Sequence, residues 1–150
     1  MSTTLSLDEL TVDIQKELDI AADVETTWQA MLEQITAEME VSLGNPLNLR
    51  LEPWPGGRYF RDLGEGVGHL WGHVQVIKPP KLLEFTGPMF MSTPVINHVQ
   101  YRIEASGNGC VLKLTHRGFG LVPTEHIAGM HDGWQHEAEA IKRAAEAAAK

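Results

Sequence analysis

The stretch GHVQVIKPPKLLEFT, Gly72–Thr86, holds two alternating runs separated by Lys78-Pro79-Pro80-Lys81. Val74 and Val76 alternate with His73, Gln75 and Ile77, and Leu83 and Phe85 alternate with Leu82, Glu84 and Thr86. This period of two marks strands with one buried face. Pro79 and Pro80 have no N–H to donate to a ladder, so the chain leaves the sheet between the runs. The stretch therefore reads as a β-hairpin whose Val74, Val76, Leu83 and Phe85 face the final helix of the chain.

Strand patterns continue on both sides of this hairpin. Downstream, Val95, Asn97, Val99, Tyr101 and Ile103 share one face of a long run. A Ser106-Gly107-Asn108-Gly109 turn then leads into Cys110, Leu112, Leu114 and His116 on one face of the next. Asn-Gly suits such a turn because both residues tolerate positive φ. Upstream, Leu47–Glu52 and Arg58–Asp62 are short strands around Pro53-Trp54-Pro55-Gly56-Gly57. Val12, Ile14, Leu18 and Ile20 form the first strand, with Lys16 on its apolar side.

Two helical patterns frame the strands. Asp23 is placed as an N-cap before Val24, Trp28, Met31, Leu32 and Ile35, a stripe at helical spacing that extends into the late thirties. After Pro123, with Thr124 as the expected N-cap, Ile127, Met130, Trp134, Ala138, Ile141 and Ala145 form a second stripe. The terminal RAAEAAAK has high helix propensity with little to bury, and fraying is expected there. Between hairpin and long strand, the apolar loop Gly87–Pro94 carries Met89, Phe90 and Met91, which either cap the core or form a lid over a pocket.

Composition narrows the function classes. The 150 residues suit one domain, placed at 11–143 with terminal segments 1–10 and 144–150. Twelve basic against 20 acidic residues give a net charge of −8, which argues against a nucleic-acid groove or an anionic membrane surface. The single cysteine, Cys110, cannot form an internal disulfide and reads as a small buried hydrophobe. No run reaches the ~18 apolar residues of a membrane span, and MSTTLSLDEL has neither a basic start nor an apolar core, so a cytoplasmic protein is expected.

Motifs for metal, cofactor or nucleophilic chemistry are weak. His69 and His73, four apart on a strand, are separated by roughly 13 Å. His126, His131 and His136 recur every five residues and do not share a helix face. Gly64-Glu65-Gly66-Val67-Gly68 precedes a strand, whereas a phosphate-binding glycine loop opens a helix. No Gly-x-Ser-x-Gly elbow is present, and no acidic pair stands out as an acid/base couple. No metal and no cofactor are expected.

The inward polar residues are more informative. His116 and Asn97 lie on apolar strand faces, either as hydrogen-bonded core groups or as polar groups projecting into a ligand cavity. Gly129 and Gly133 share a face of the last helix and each costs about 1 kcal/mol relative to alanine. Close packing on the sheet would explain them, as would space kept for a ligand.

The order of motifs now carries a resemblance. Pro55-Gly56-Gly57-Arg58, Gly72-His73-Val74 through Pro79-Pro80 to Leu83-Glu84-Phe85-Thr86, Leu114-Thr115-His116-Arg117-Gly118-Phe119 and Gly133-Trp134 follow one another over residues 11–141. The set resembles the SRPBCC (START-like, birch-pollen-allergen-like) superfamily, in the branch named for the activator of the heat-shock-protein-ninety ATPase. That resemblance implies an α+β helix-grip fold: a curved antiparallel sheet wrapped around a long C-terminal helix, with a cavity between them. Two positions depart from the branch. Asp23 replaces a proline or small polar residue, and Ala138 replaces a bulky leucine, which would widen the cavity or loosen packing.

The leading expectation is a binding protein for a hydrophobic small molecule or lipid. Trp28, Phe60, Phe85, Asn97, Tyr101, His116, Met130 and Trp134 would surround the cavity, with Asn97 and His116 orienting a polar group of the ligand. A chaperone-ATPase-activating or self-associating protein is the alternative, using Trp71, which strand alternation sets opposite Leu70, Val74 and Val76 and therefore on the exposed face. The branch's co-chaperones carry a further N-terminal domain that this sequence lacks. A cofactor-free cyclase or hydrolase is implied by the superfamily alone and would use His116 as its acid/base group.

Overall fold

The computed structural model describes residues 4–39 and 47–150. Among them, seven strands form one antiparallel sheet: β1 Thr11–Ile20, β2 Leu49–Leu51, β3 Arg58–Asp62, β4 Gly68–Lys78, β5 Leu82–Gly87, β6 Val95–Ser106 and β7 Gly109–Gly120. The spatial order is β1-β7-β6-β5-β4-β3-β2. Only β1 is displaced from its sequence neighbours, because helix α1, Val24–Gln34, carries the chain across to β2 at the opposite edge. Helix α2, Thr124–Ala148, lies across the inner face of the curved sheet, packed against α1 and β1. This is the helix-grip arrangement.

Local chemistry sets the ends of these elements. The Asp23 carboxylate accepts from the Thr26 N–H at 2.7 Å and caps α1, as its position predicts. Thr124 is not the cap of α2; it is the first helical residue, and Pro123 holds the cap position without a side-chain bond. The far end of α2 is docked as well. Ala145 is fully buried, and the Glu146 carboxylate accepts from the Ala21 N–H at 2.8 Å and from Lys142 at 2.9 Å. The expected fraying of RAAEAAAK gives way to a helix that ends one turn beyond a tertiary contact.

The central hairpin forms, but β4 is irregular in two places. Tyr59 pairs with Gly72 and Phe60 with Leu70, leaving Trp71 as an extra residue; Val74 pairs with Phe85 and Val76 with Glu84, leaving Gln75 extra. Each bulge reverses the alternation of faces. Trp71 therefore turns inward and is 6% exposed, while Leu70 turns outward at 43%. The expected surface tryptophan is a core residue. Ile77, opposite the fully buried Leu83, takes the inner position expected of Val76, which shares the outer face with Glu84. Close backbone approach accompanies the first bulge: a Cβ on Gly87 would lie 2.4 Å from the Gly72 Cα.

Candidate functional site

A file of rings crosses the inner face of the sheet. His116 meets Trp134 with centroids 5.5 Å apart, Trp134 meets Tyr101 at 6.4 Å, and Tyr101 meets Phe85 at 6.1 Å. Phe85 meets Tyr59 at 4.8 Å, Tyr59 meets Trp71 at 5.6 Å, and Trp71 meets Phe90 at 5.7 Å. Rings from five strands, the 87–94 loop and α2 thus make a continuous layer, in tilted or edge-on contacts that their quadrupoles favour.

The inward polar residues are tied into this layer. The indole N–H of Trp134 donates to Nδ1 of His116 at 2.8 Å, and Nε2 of His116 lies 2.7 Å from Oδ1 of Asn97. An indole only donates, so Nδ1 carries no proton and Nε2–H donates to Asn97. The Asn97 amide in turn donates to the carbonyls of Gly87 and Pro88 at 3.2 and 3.3 Å. Gly118 makes room for it, since a Cβ there would lie 2.5 Å from Oδ1. His116 is completely buried, and burial holds its pKa down at about 4. Both of its nitrogens are spent on protein partners, so His116 and Asn97 fasten the 87–94 loop to α2.

Beside this layer lies a cavity of ≈ 1100 Å³ between the first half of α2, the 87–94 loop and Trp71 of β4. Its walls are largely apolar: Met39, Trp71, Phe90, Met91, Met130 and Trp134. Gly129 and Gly133 also line it, and a Cβ at either would meet nothing within 4 Å. Close packing therefore does not account for these glycines; they face open space. Met89 and Met91 are buried beneath the loop while Phe90 is 42% exposed at the cavity, so the loop both caps the core and forms a wall.

Three buried side-chain atoms have no hydrogen-bond partner among the described residues: Trp71 Nε1, Thr93 Oγ1 and Glu137 Oε1. All three belong to residues lining this cavity. Buried polar groups are nearly always satisfied, so three such atoms on residues lining one apolar space are unusual. Glu137 is 7% exposed, and burial pushes its carboxyl up to about 8. Tyr59 and Tyr101 have hydroxyls raised well above the ordinary value, first by burial and then by the nearby Glu137.

The expected site residues divide into three groups. Met130 and Trp134 line the cavity. Trp28, Phe85, Asn97, Tyr101 and His116 are buried in the core and are not among its lining residues. Phe60 lies on the other side of the sheet: it pairs with the outward Leu70, and the Arg58 guanidinium sits 4.5 Å above its ring. Glu137, Trp71 and Thr93 were absent from the expected set. Glu137 had a signal, since it stands three residues after Trp134 and four before Ile141, within the apolar stripe. Ala138 is buried but does not line the cavity. Among the described residues, no three His, Cys, Asp or Glu side chains gather as a metal site. No helix there is long and apolar enough to cross a membrane.

Comparison with known proteins agrees with this architecture. No curated protein matches the chain. An uncharacterised protein of Rhizobium leguminosarum superposes with a TM-score of 0.68 at 16% identity, over 91% of this chain and 95% of that one. The Aha1 dimer of Colwellia psychrerythraea gives 0.61 at 19% identity, over 90% and 96%. The di-domain ARO/CYC StfQ from the steffimycin biosynthetic pathway gives 0.61 at 15% identity, over 95% of this chain and 52% of that one. These likenesses show a shared fold. Residues 45–146 match the family described as "Activator of Hsp90 ATPase homolog 1-like protein", and the chain belongs to that family.

Proposed function

We propose that this member of the family binds an apolar small molecule in the cavity between α2, the 87–94 loop and Trp71. One observation carries the reading: the three orphaned polar atoms Trp71 Nε1, Thr93 Oγ1 and Glu137 Oε1 all belong to the lining of one largely apolar space. Apolar walls with a few convergent polar groups are the usual composition of a small-molecule site. The ring layer supplies one wall, and the Trp134–His116–Asn97 chain holds the loop that supplies another.

The test is binding of an apolar fluorophore, with native mass spectrometry of freshly purified protein to detect a retained ligand. One molecule per chain is expected for the native protein. Gly133→Leu, whose Cβ would meet no neighbour within 4 Å, is expected to abolish binding while leaving the helical circular dichroism unchanged. Unaltered binding in Gly133→Leu would place the ligand elsewhere and refute the assignment.

A protein-contact role is the second reading, supported by an exposed cross-strand pair. Ile96 and Phe119 face each other across β6 and β7 on the outer side of the sheet, at 72% and 52% exposure. They offer an apolar contact where the buried Trp71 does not. Turnover of an Hsp90-type ATPase, measured with the native protein and with Ile96→Asp, discriminates: no change at large excess of the native protein removes this reading. For a cyclase or hydrolase, the acid/base requirement falls on Glu137, the titratable group buried at the cavity, rather than on His116.

A further inference from the structure

We propose that the cavity selects an apolar ligand carrying a protonated amine, with the Glu137 carboxylate as its counter-charge. This rests on the cavity-binding reading above and names the ligand's chemical class. The charge of the lining points to it. Glu125, Asp132 and Glu137 contribute carboxyls, His126 and His136 contribute imidazoles, and neither lysine nor arginine is present. An anionic head group would meet carboxylates and no fixed positive charge. An ammonium would meet the reverse.

Glu137 adds an independent observation. It is more than nine-tenths buried, its Oε1 has no partner among the described residues, and it lines the cavity. An isolated buried carboxylate is costly, and a bound ammonium supplies both the missing charge and the missing donor. The cavity is also lined by the aromatic rings of Trp71, Phe90 and Trp134, which can offer cation–π attraction, and by Met39, Met91 and Met130, which offer adaptable apolar surface. The Trp71 N–H can only donate, so an amine leaves it unsatisfied. A neutral alcohol of equal chain length is therefore the decisive control.

Binding is coupled to the proton on Glu137. That carboxyl releases its proton to solvent when the cation binds, so affinity rises with pH until the free carboxyl is ionised, at about 8. The titratable groups facing or near it are Tyr59 on β3, Tyr101 on β6, His116 on β7 behind Trp134, and Glu125, His126, Asp132 and His136 along α2.

Decylamine, decanol and decanoate, each below its micelle concentration, would be titrated against the bound fluorophore at about pH 8 and about pH 6. The amine is expected to bind about tenfold more tightly than the alcohol at the higher pH, with decanoate weakest. The amine should lose most of that advantage at the lower pH. E137Q is expected to bring the amine to the level of the alcohol measured in the same variant. Alcohol or carboxylate binding as tightly as the amine, or an amine preference intact in E137Q, overturns the proposal while the cavity reading stands. Failure of every probe, fluorophore included, overturns both.

Discussion

His116 and Glu137 are two titratable groups that burial shifts, and they act in opposite senses. His116 stays neutral in the fold down to about 4, whereas its unfolded value is 6.5. Its contribution is complete above 6.5 and is lost as pH falls toward 4. Glu137 keeps its proton in the fold up to about 8 against an ordinary 4.5, so stability falls as pH rises from 4.5 toward 8. Between 4.5 and 6.5 the two slopes oppose each other. Chemical denaturation across pH is expected to show loss of stability on the alkaline side, and E137Q should remove it, gaining on the order of a few kcal/mol near pH 8. His116→Leu strands the Trp134 N–H and the Asn97 carbonyl in the core. Urea titration should find it destabilised by about 2–5 kcal/mol.

At the scale of elements, helix α2 and strand β4 depart most from simple periodicity. Gly129 and Gly133 weaken α2 for the sake of an open face. Gly129→Ala and Gly133→Ala are each expected to stabilise the protein by about 1 kcal/mol in denaturant titrations, because the added methyl meets no neighbour. Both should weaken fluorophore binding, a trade that a purely structural glycine would not show. In β4, two bulges set Trp71 and Val74 on the inner face together and return Ile77 to it. The alternation that marks this strand in the sequence is genuine, but it predicts the wrong face for Trp71 and Val76 because an extra residue resets the parity.

For the whole molecule, Met39, Trp71 of the sheet and the 87–94 loop form one side of a cavity whose opposite side is the first half of α2. A bound ligand would bridge parts of the chain that otherwise touch only through side chains. Saturating ligand is expected to raise the midpoint of thermal unfolding, by an amount that grows with the logarithm of ligand concentration, and differential scanning fluorimetry with decylamine checks this. Gly133→Leu should show no such rise. Membership of the Aha1-like family sets the scaffold on which this cavity sits. On the reading proposed above, side chains such as Trp71, Thr93 and Glu137 would choose the ligand.

Much of this was legible in the amino-acid order. Each strand, the Pro-Pro turn, the Asp23 cap, both amphipathic stripes and the ordered family motifs are local signals, and local backbone chemistry decides them; the turn after β6 also forms, but on Gly107-Asn108 with positive φ at Gly107 rather than on Asn108-Gly109. The hairpin Gly72–Thr86 is of this kind. What only the tertiary structure decided is which side of that hairpin each residue serves, and which polar groups remain alone. Face parity survives only while register is unbroken, and the bulges opposite Tyr59–Phe60 and Phe85–Glu84 arise from pairing with other strands. Likewise, whether an inward polar residue is spent or free depends on partners far along the chain. Trp134 and Asn97 occupy His116 completely, while no described group reaches the Oε1 of Glu137.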